Sequence, residues 1–103
     1  MSLAYPRFRT YDLAVRFHHL ASQMTVPSYL RDQLLRASSS VVLNVAEGWG
    51  KTSPADKRRS YTIALGSFRE SCAALDLAGQ GSPELAAVAD SLGAHLWRLC
   101  HPR

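Results

Sequence analysis

The stretch Ser53-Pro54-Ala55-Asp56-Lys57-Arg58-Arg59-Ser60-Tyr61-Thr62-Ile63-Ala64-Leu65-Gly66-Ser67-Phe68-Arg69-Glu70-Ser71-Cys72-Ala73-Ala74-Leu75 decides the fold. It opens with a serine placed to cap a helix, a proline at the first helical position, where a missing N–H costs nothing, and an acid in the first turn. Tyr61, Ala64, Leu65, Phe68, Cys72 and Leu75 then recur at helical spacing, which makes one apolar stripe along a long helix. Gly79-Gln80-Gly81 stops it, so a helix is expected over about 53–79.

Working outward, Ser82-Pro83-Glu84 repeats the start signal for a helix over about 82–100, with Leu85, Val88, Ala89, Leu92, Leu96 and Leu99 on one side. Upstream, Ser28 reads as the N-cap and Gly48 as the C-cap of a helix over about 28–48, whose stripe is Leu30, Leu34, Ala37, Val41 and Val45. Leu13, Phe17, Leu20 and Met24 mark a first helix over about 10–24, ended by Val26-Pro27 and preceded by an extended arm over residues 4–9. No segment alternates with the period of a strand. Short connections between long helices force antiparallel neighbours, so the expected fold is all-α, an antiparallel up-down-up-down four-helix bundle. The 103 residues, 47% hydrophobic, make a single domain over 1–103, large enough to bury a core without a metal or disulfide staple.

Two details point beyond a plain core. Leu35, Val42, Ala46 and Trp49 form a second apolar stripe beside the first on the second helix. This surplus suggests a contact between subunits, unless the helix simply sits between two neighbours. Gly66, in mid-helix, costs about 1 kcal/mol relative to Ala, which suggests a close approach by another helix. Folding the second and third helices about residues 49–52 sets Ala37 opposite residue 64 and Ser40-Val41 opposite residues 60 and 61. It also brings Asn44 and Glu47 near residues 57 and 54, within reach of Lys51, Lys57 or Arg58.

Composition excludes several classes. The apolar run Val41-Val42-Leu43 is cut by Asn44, far short of the roughly 18 residues of a membrane span, and no charged-then-apolar leader is present. Two cysteines do not make a secreted scaffold, and a cytoplasmic protein is expected. Bundle geometry sets residue 72 opposite about 89, leaving Cys100 roughly 16 Å away along the axis, too far for a disulfide. His18 and His19 are adjacent and therefore diverge on a helix, and His95 and His101 lack helical-spaced acids, so no metal site is expected. Neither a G-x-S-x-G elbow nor an activated cysteine is visible, and no enzyme activity and no cofactor are expected.

The net charge of +4 is concentrated. Residues 51–69 carry Lys51, Lys57, Arg58, Arg59 and Arg69 against Asp56 alone, and the rest of the chain sums to zero. Cations in the first turns of a helix oppose the macrodipole, where acids would be stabilising. With Trp49 alongside Lys51, they form the combination that phosphate contact and base stacking would use.

The run Asn44-Val45-Ala46-Glu47-Gly48-Trp49-Gly50-Lys51, followed by Ser53, Arg59, Ile63-Ala64-Leu65-Gly66-Ser67 and Glu70, closely resembles the signature of the 23S rRNA-intervening-sequence proteins. These four-helix-bundle proteins are related to the accessory variability determinant of diversity-generating retroelements. The two-part motif spans about residues 36–78, and Tyr11-Asp12-Leu13-Ala14 extends the likeness weakly. The resemblance implies a bacterial, cytosolic, ring-like homopentamer without catalytic activity, for which nucleic-acid binding through basic surfaces is proposed. Arg36, Lys51 and Arg59 match basic family positions, and Asn44, Glu47, Gly48 and Gly50 match the end of the second helix and its turn. Ser40-Val41-Val42-Leu43-Asn44 lacks a proline common in the family, Lys57 replaces an often apolar residue, and the fourth helix is short.

The expected function is RNA or DNA binding by a non-enzymatic homo-oligomer through Lys51, Lys57, Arg58, Arg59 and Arg36. Asn44, Glu47, Gly48, Trp49, Gly50, Gly66 and Glu70 serve as motif or structural residues. The alternative is an accessory subunit that docks a protein partner such as a reverse transcriptase.

Overall fold

Both serine-proline starts form helices at the residues their sequence marks. The computed structural model describes residues 8–102, so residues 4–7 of the expected arm lie outside the described residues. The chain is all-α, with no strand among the described residues: α1 spans Arg9–Ser22, α2 Ser28–Gly50, α3 Pro54–Ala78 and α4 Pro83–Cys100. Ser53 Oγ accepts from the Asp56 N–H and Ser82 Oγ from the Leu85 N–H, each at 3.1 Å. Gly79, at φ +64°, ends α3, and its N–H and that of Gln80 each donate at 3.0 Å, to the carbonyls of Asp76 and Leu75. Only a residue without Cβ takes that left-handed turn cheaply.

The ends of α2 differ from expectation. Pro27 occupies the N-cap position without a side-chain cap, and Ser28 is already helical. The carbonyl of Pro27 accepts from Leu30 and Arg31 instead. Gly48 is not a C-cap, because α2 continues through Gly50. Its role is close packing: a Cβ there would lie 2.6 Å from Tyr61 Cε1.

Each helix packs against two others, α1 and α3 both meeting α2 and α4. Within every pair the contacts run in opposite sequence directions. Gly48 lies under Tyr61, Ser40 bonds Ser67 and Gln33 bonds Glu70 along α2 and α3. Thr62 meets Cys100 and Phe68 meets Gly93 along α3 and α4. Thr10 bonds His95 and Arg16 pairs with Glu84 between α1 and α4, while Phe8 stacks on Trp49 and His18 bonds Ser38 between α1 and α2. The α3–α4 register agrees with residue 72 opposite about 89. The α2–α3 register does not agree with Ser40 opposite residue 60. Ser40 faces Ser67, nearly two turns on, and the later end of α2 at Gly50 accounts for only about half of that offset.

Phe17, Leu34, Val41, Val45, Leu92 and Leu96 are fully buried, and Phe17 packs on Phe68 with ring centroids 5.2 Å apart. The first stripe of α2 is buried as expected. Its second stripe is largely used within the chain: Leu35, Val42 and Ala46 are half-buried, Val42 packs on the core, and Trp49 stacks on Phe8 at 4.3 Å. Tyr29 and Leu43, outside both stripes, are the large exposed apolar residues of α2, along with Trp49. Gly66 also departs from expectation, since a Cβ there would meet nothing within 4 Å. It lies on the outward side of α3 with Ile63 and Leu77. No described helix is long and apolar enough to cross a membrane.

Candidate nucleic-acid interface

Opposite-running contacts bring the starts of α1 and α3 and the ends of α2 and α4 to one end of the molecule. That end gathers Arg9, Lys51, Lys57, Arg58, Arg59 and Arg98 against Asp12, Glu47 and Asp56. The other end holds the acids Asp32, Asp76, Glu84 and Asp90 against Arg16 and Arg31. A surplus spread over residues 51–69 in sequence thus becomes a polarised surface in space.

The cations differ in availability. Lys57 Nζ donates to the carbonyls of Gly48 and Trp49 at 3.2 and 3.0 Å. These are carbonyls of the last turn of α2, that of Gly48 also accepting from the Lys51 N–H at 3.2 Å, so Lys57 caps that helix with two of its three N–H donors. Lys51 pairs with Glu47 at 3.4 Å across one turn. Arg58 and Arg59 are exposed and have no carboxylate partner among the described residues. Arg36 is exposed but sits midway along α2, in a groove floored by Ser40 and Ser67, so the fold does not bring it to the cationic end.

The motif residues hold this arrangement. Asn44 Nδ2 donates to the carbonyl and the hydroxyl of Ser40 at 2.9 and 3.1 Å, and Ser40 Oγ meets Ser67 Oγ at 2.9 Å. That chain of bonds ties α2 to α3. Glu70 accepts from Gln33 at 3.4 Å on the same seam, while Gly50 is open and ends the helix. Gly48 allows Tyr61 to lie over α2, which sets how closely the start of α3 approaches Trp49 and Lys51.

Sequence spacing did not mark Arg9, Trp97, Arg98 or His101, which reach the same end from α1 and α4. Their signal was available: if the helices alternate in direction, the end of α4 must return to the start of α3. Trp97 is 50% exposed and stacked on His101, ring centroids 4.1 Å apart. The His101 Nδ1–H donates to the Trp97 carbonyl at 2.8 Å, since a carbonyl can only accept.

The remaining reactive groups are tied into packing. Burial, then His19, pushes the His18 imidazole below its usual range, and its Nδ1 meets Ser38 Oγ at 2.7 Å. Burial, then Arg98 and Arg9, does the same to His95, whose Nδ1 meets Thr10 Oγ1 at 3.1 Å. Burial and then Asp76 push the Cys72 thiol up, away from the reactive thiolate. Cys72 and Cys100 are free thiols, and among the described residues no three His, Cys, Asp or Glu side chains converge as metal ligands.

Comparison with curated proteins and with solved structures gave no match. The family model described as 23S rRNA-intervening sequence protein does match, over residues 9–82, which takes in α1, α2 and α3 and ends at the serine that caps α4. The chain belongs to the 23S rRNA-intervening sequence protein family.

Proposed function

We propose that this chain is a non-enzymatic, cytoplasmic, up-down-up-down antiparallel four-helix bundle that self-associates as a pentamer and binds RNA or DNA through its cationic end. The observation that carries the reading is the pair Arg58 and Arg59, exposed and without a carboxylate partner in the first turns of α3. The helix dipole disfavours cations at that position by a few tenths of a kcal/mol each, so stability alone gives no reason to keep them. Phosphates would supply the missing counter-charge. Ile63 and Leu77, exposed at 47% and 75% on either side of the open Gly66, support self-association through the outward side of α3. Copies in one assembly would present their cationic ends together, turning weak contacts into avid ones.

Electrophoretic mobility shift with structured RNA and duplex DNA at low salt tests the reading. Binding that weakens at least tenfold in an Arg58→Ala/Arg59→Ala variant is expected. No binding to either at low salt would overturn it and favour the rival, an accessory subunit that docks a protein such as a reverse transcriptase through those exposed apolar side chains. Sedimentation of the purified chain tests the assembly separately, and a monomer at all concentrations would remove the pentamer.

A further inference from the structure

The pair Trp97 and His101 is not explained by packing of the core or by the charge of the cationic end. A half-exposed indole costs apolar exposure at the surface, and here it is held rigidly. The His101 ring lies 4.1 Å from it at an interplanar angle of 20°, and the Nδ1–H bond to the Trp97 carbonyl fixes that geometry. A flat, preorganised aromatic surface of this kind suits a second flat ring, because little side-chain freedom is lost when it is covered.

Its surroundings carry the appropriate charge. Arg58, Thr62 and Arg69 lie on one face of α3, since separations of four and eleven residues return to nearly the same angle. Thr62 Oγ1 contacts Cys100 Sγ at 3.8 Å, which places this face beside the last turns of α4. Arg58 therefore lies about 6 Å beyond Thr62 toward the cationic end, and Arg69 about 10 Å the other way. Both are exposed and without a carboxylate partner among the described residues. Beyond Arg69 the sign reverses, with exposed Asp76 on the same face of α3 and exposed Asp90 on α4. The result is a short cationic track, about 16 Å between its α3 arginines, with an aromatic platform along it.

We propose that this track along α3 and α4 binds single-stranded nucleic acid, an unpaired base stacking on Trp97 while Arg58 and Arg69 hold the flanking phosphates. A duplex keeps its base faces stacked internally and offers the indole only its backbone, whereas every unpaired base has a π-face to present. The inference rests on the reading that the cationic end binds nucleic acid, and adds which form it selects.

Trp49 and Trp97 are the two tryptophans, so a Trp49→Phe background leaves Trp97 as the only indole reporter. In that full-length background, oligo(U), oligo(dT) and a blunt mixed-sequence duplex, each about 12 nucleotides long, are titrated at low salt. The expected result is tighter binding of the single strands, with Trp97 fluorescence quenched. Trp97→Leu in the native chain should then weaken single-strand binding about tenfold and leave duplex binding unchanged, while Trp97→Phe retains most of the affinity. Preference for oligo(U) or for oligo(dT) would support the inference and assign RNA or DNA. Equal affinity for duplex and single strands with Trp97 unquenched would overturn this inference and leave the charge reading standing. No binding to any of the three would overturn both. Because Trp97 is half exposed, far-UV circular dichroism of its variants should match the parent.

Discussion

The two sides of α3 follow different rules. Its inward side carries Tyr61 over Gly48, Phe68 against Phe17, and the buried hydroxyl of Ser71 bonded to the Ser67 carbonyl at 2.9 Å. Its outward side carries Arg58, Arg59, Ile63, Gly66, Arg69 and Leu77, with a glycine that touches nothing and arginines that pair with nothing described. The inward residues are explained by the stability of one chain. The outward ones are not, and this contrast is the physical reason to look for partners there.

The contrast can be broken at several points. Phe68→Ala on the inward side should cost about 3–5 kcal/mol, measured by urea denaturation, because it leaves a cavity beside Phe17 and Gly93. Gly48→Ala should cost about 1–3 kcal/mol, since the new Cβ must displace the buried Tyr61 ring. A neutral Gly48→Ala would mean that the seam is looser than described. Arg58→Ala/Arg59→Ala should leave stability unchanged or slightly raised, yet weaken nucleic-acid binding at least tenfold, about 1.4 kcal/mol. Gly66→Ala should raise stability by about 0.5–1 kcal/mol at concentrations where copies do not associate, the opposite sign to Gly48→Ala. Equal destabilisation by the two alanines would erase the distinction between the sides.

The smallest expected effect is a pH dependence at the contacts of α1 with α2 and α4. His18 and His95 are both held below their usual range by burial, so the unfolded chain binds more protons than the folded one as pH falls through about 6.5. Stability is therefore full above that pH and declines below it. The thermal midpoint should fall between pH 7 and pH 5, and by less in a His18→Gln variant. A midpoint that rose on acidification would contradict the placement of these imidazoles.

Ser53-Pro54-Ala55-Asp56 and Ser82-Pro83-Glu84 were legible to the residue because a cap is a local hydrogen bond and its donors lie three positions away. Gly48 and Gly66 were misread in opposite senses for one reason: a glycine's role depends on what lies over it. Gly79 takes a positive φ and ends its helix, while Gly48 stays helical beneath a tyrosine from another element. The cationic cluster was visible as a charge run, but Lys57 looked equivalent to its neighbours. Only the fold brings the carbonyls of Gly48 and Trp49 to its ammonium group. Trp97 and His101 were missed because they are distant in sequence from the charge they accompany.

The salt dependence of nucleic-acid binding tests the central claim most directly, measured by fluorescence anisotropy for the parent and the Arg58→Ala/Arg59→Ala variant. Log K should fall linearly with log salt, and losing two phosphate contacts should make the slope shallower by about 1.5. An identical slope and affinity in the variant, or no binding by the parent at low salt, would contradict that claim.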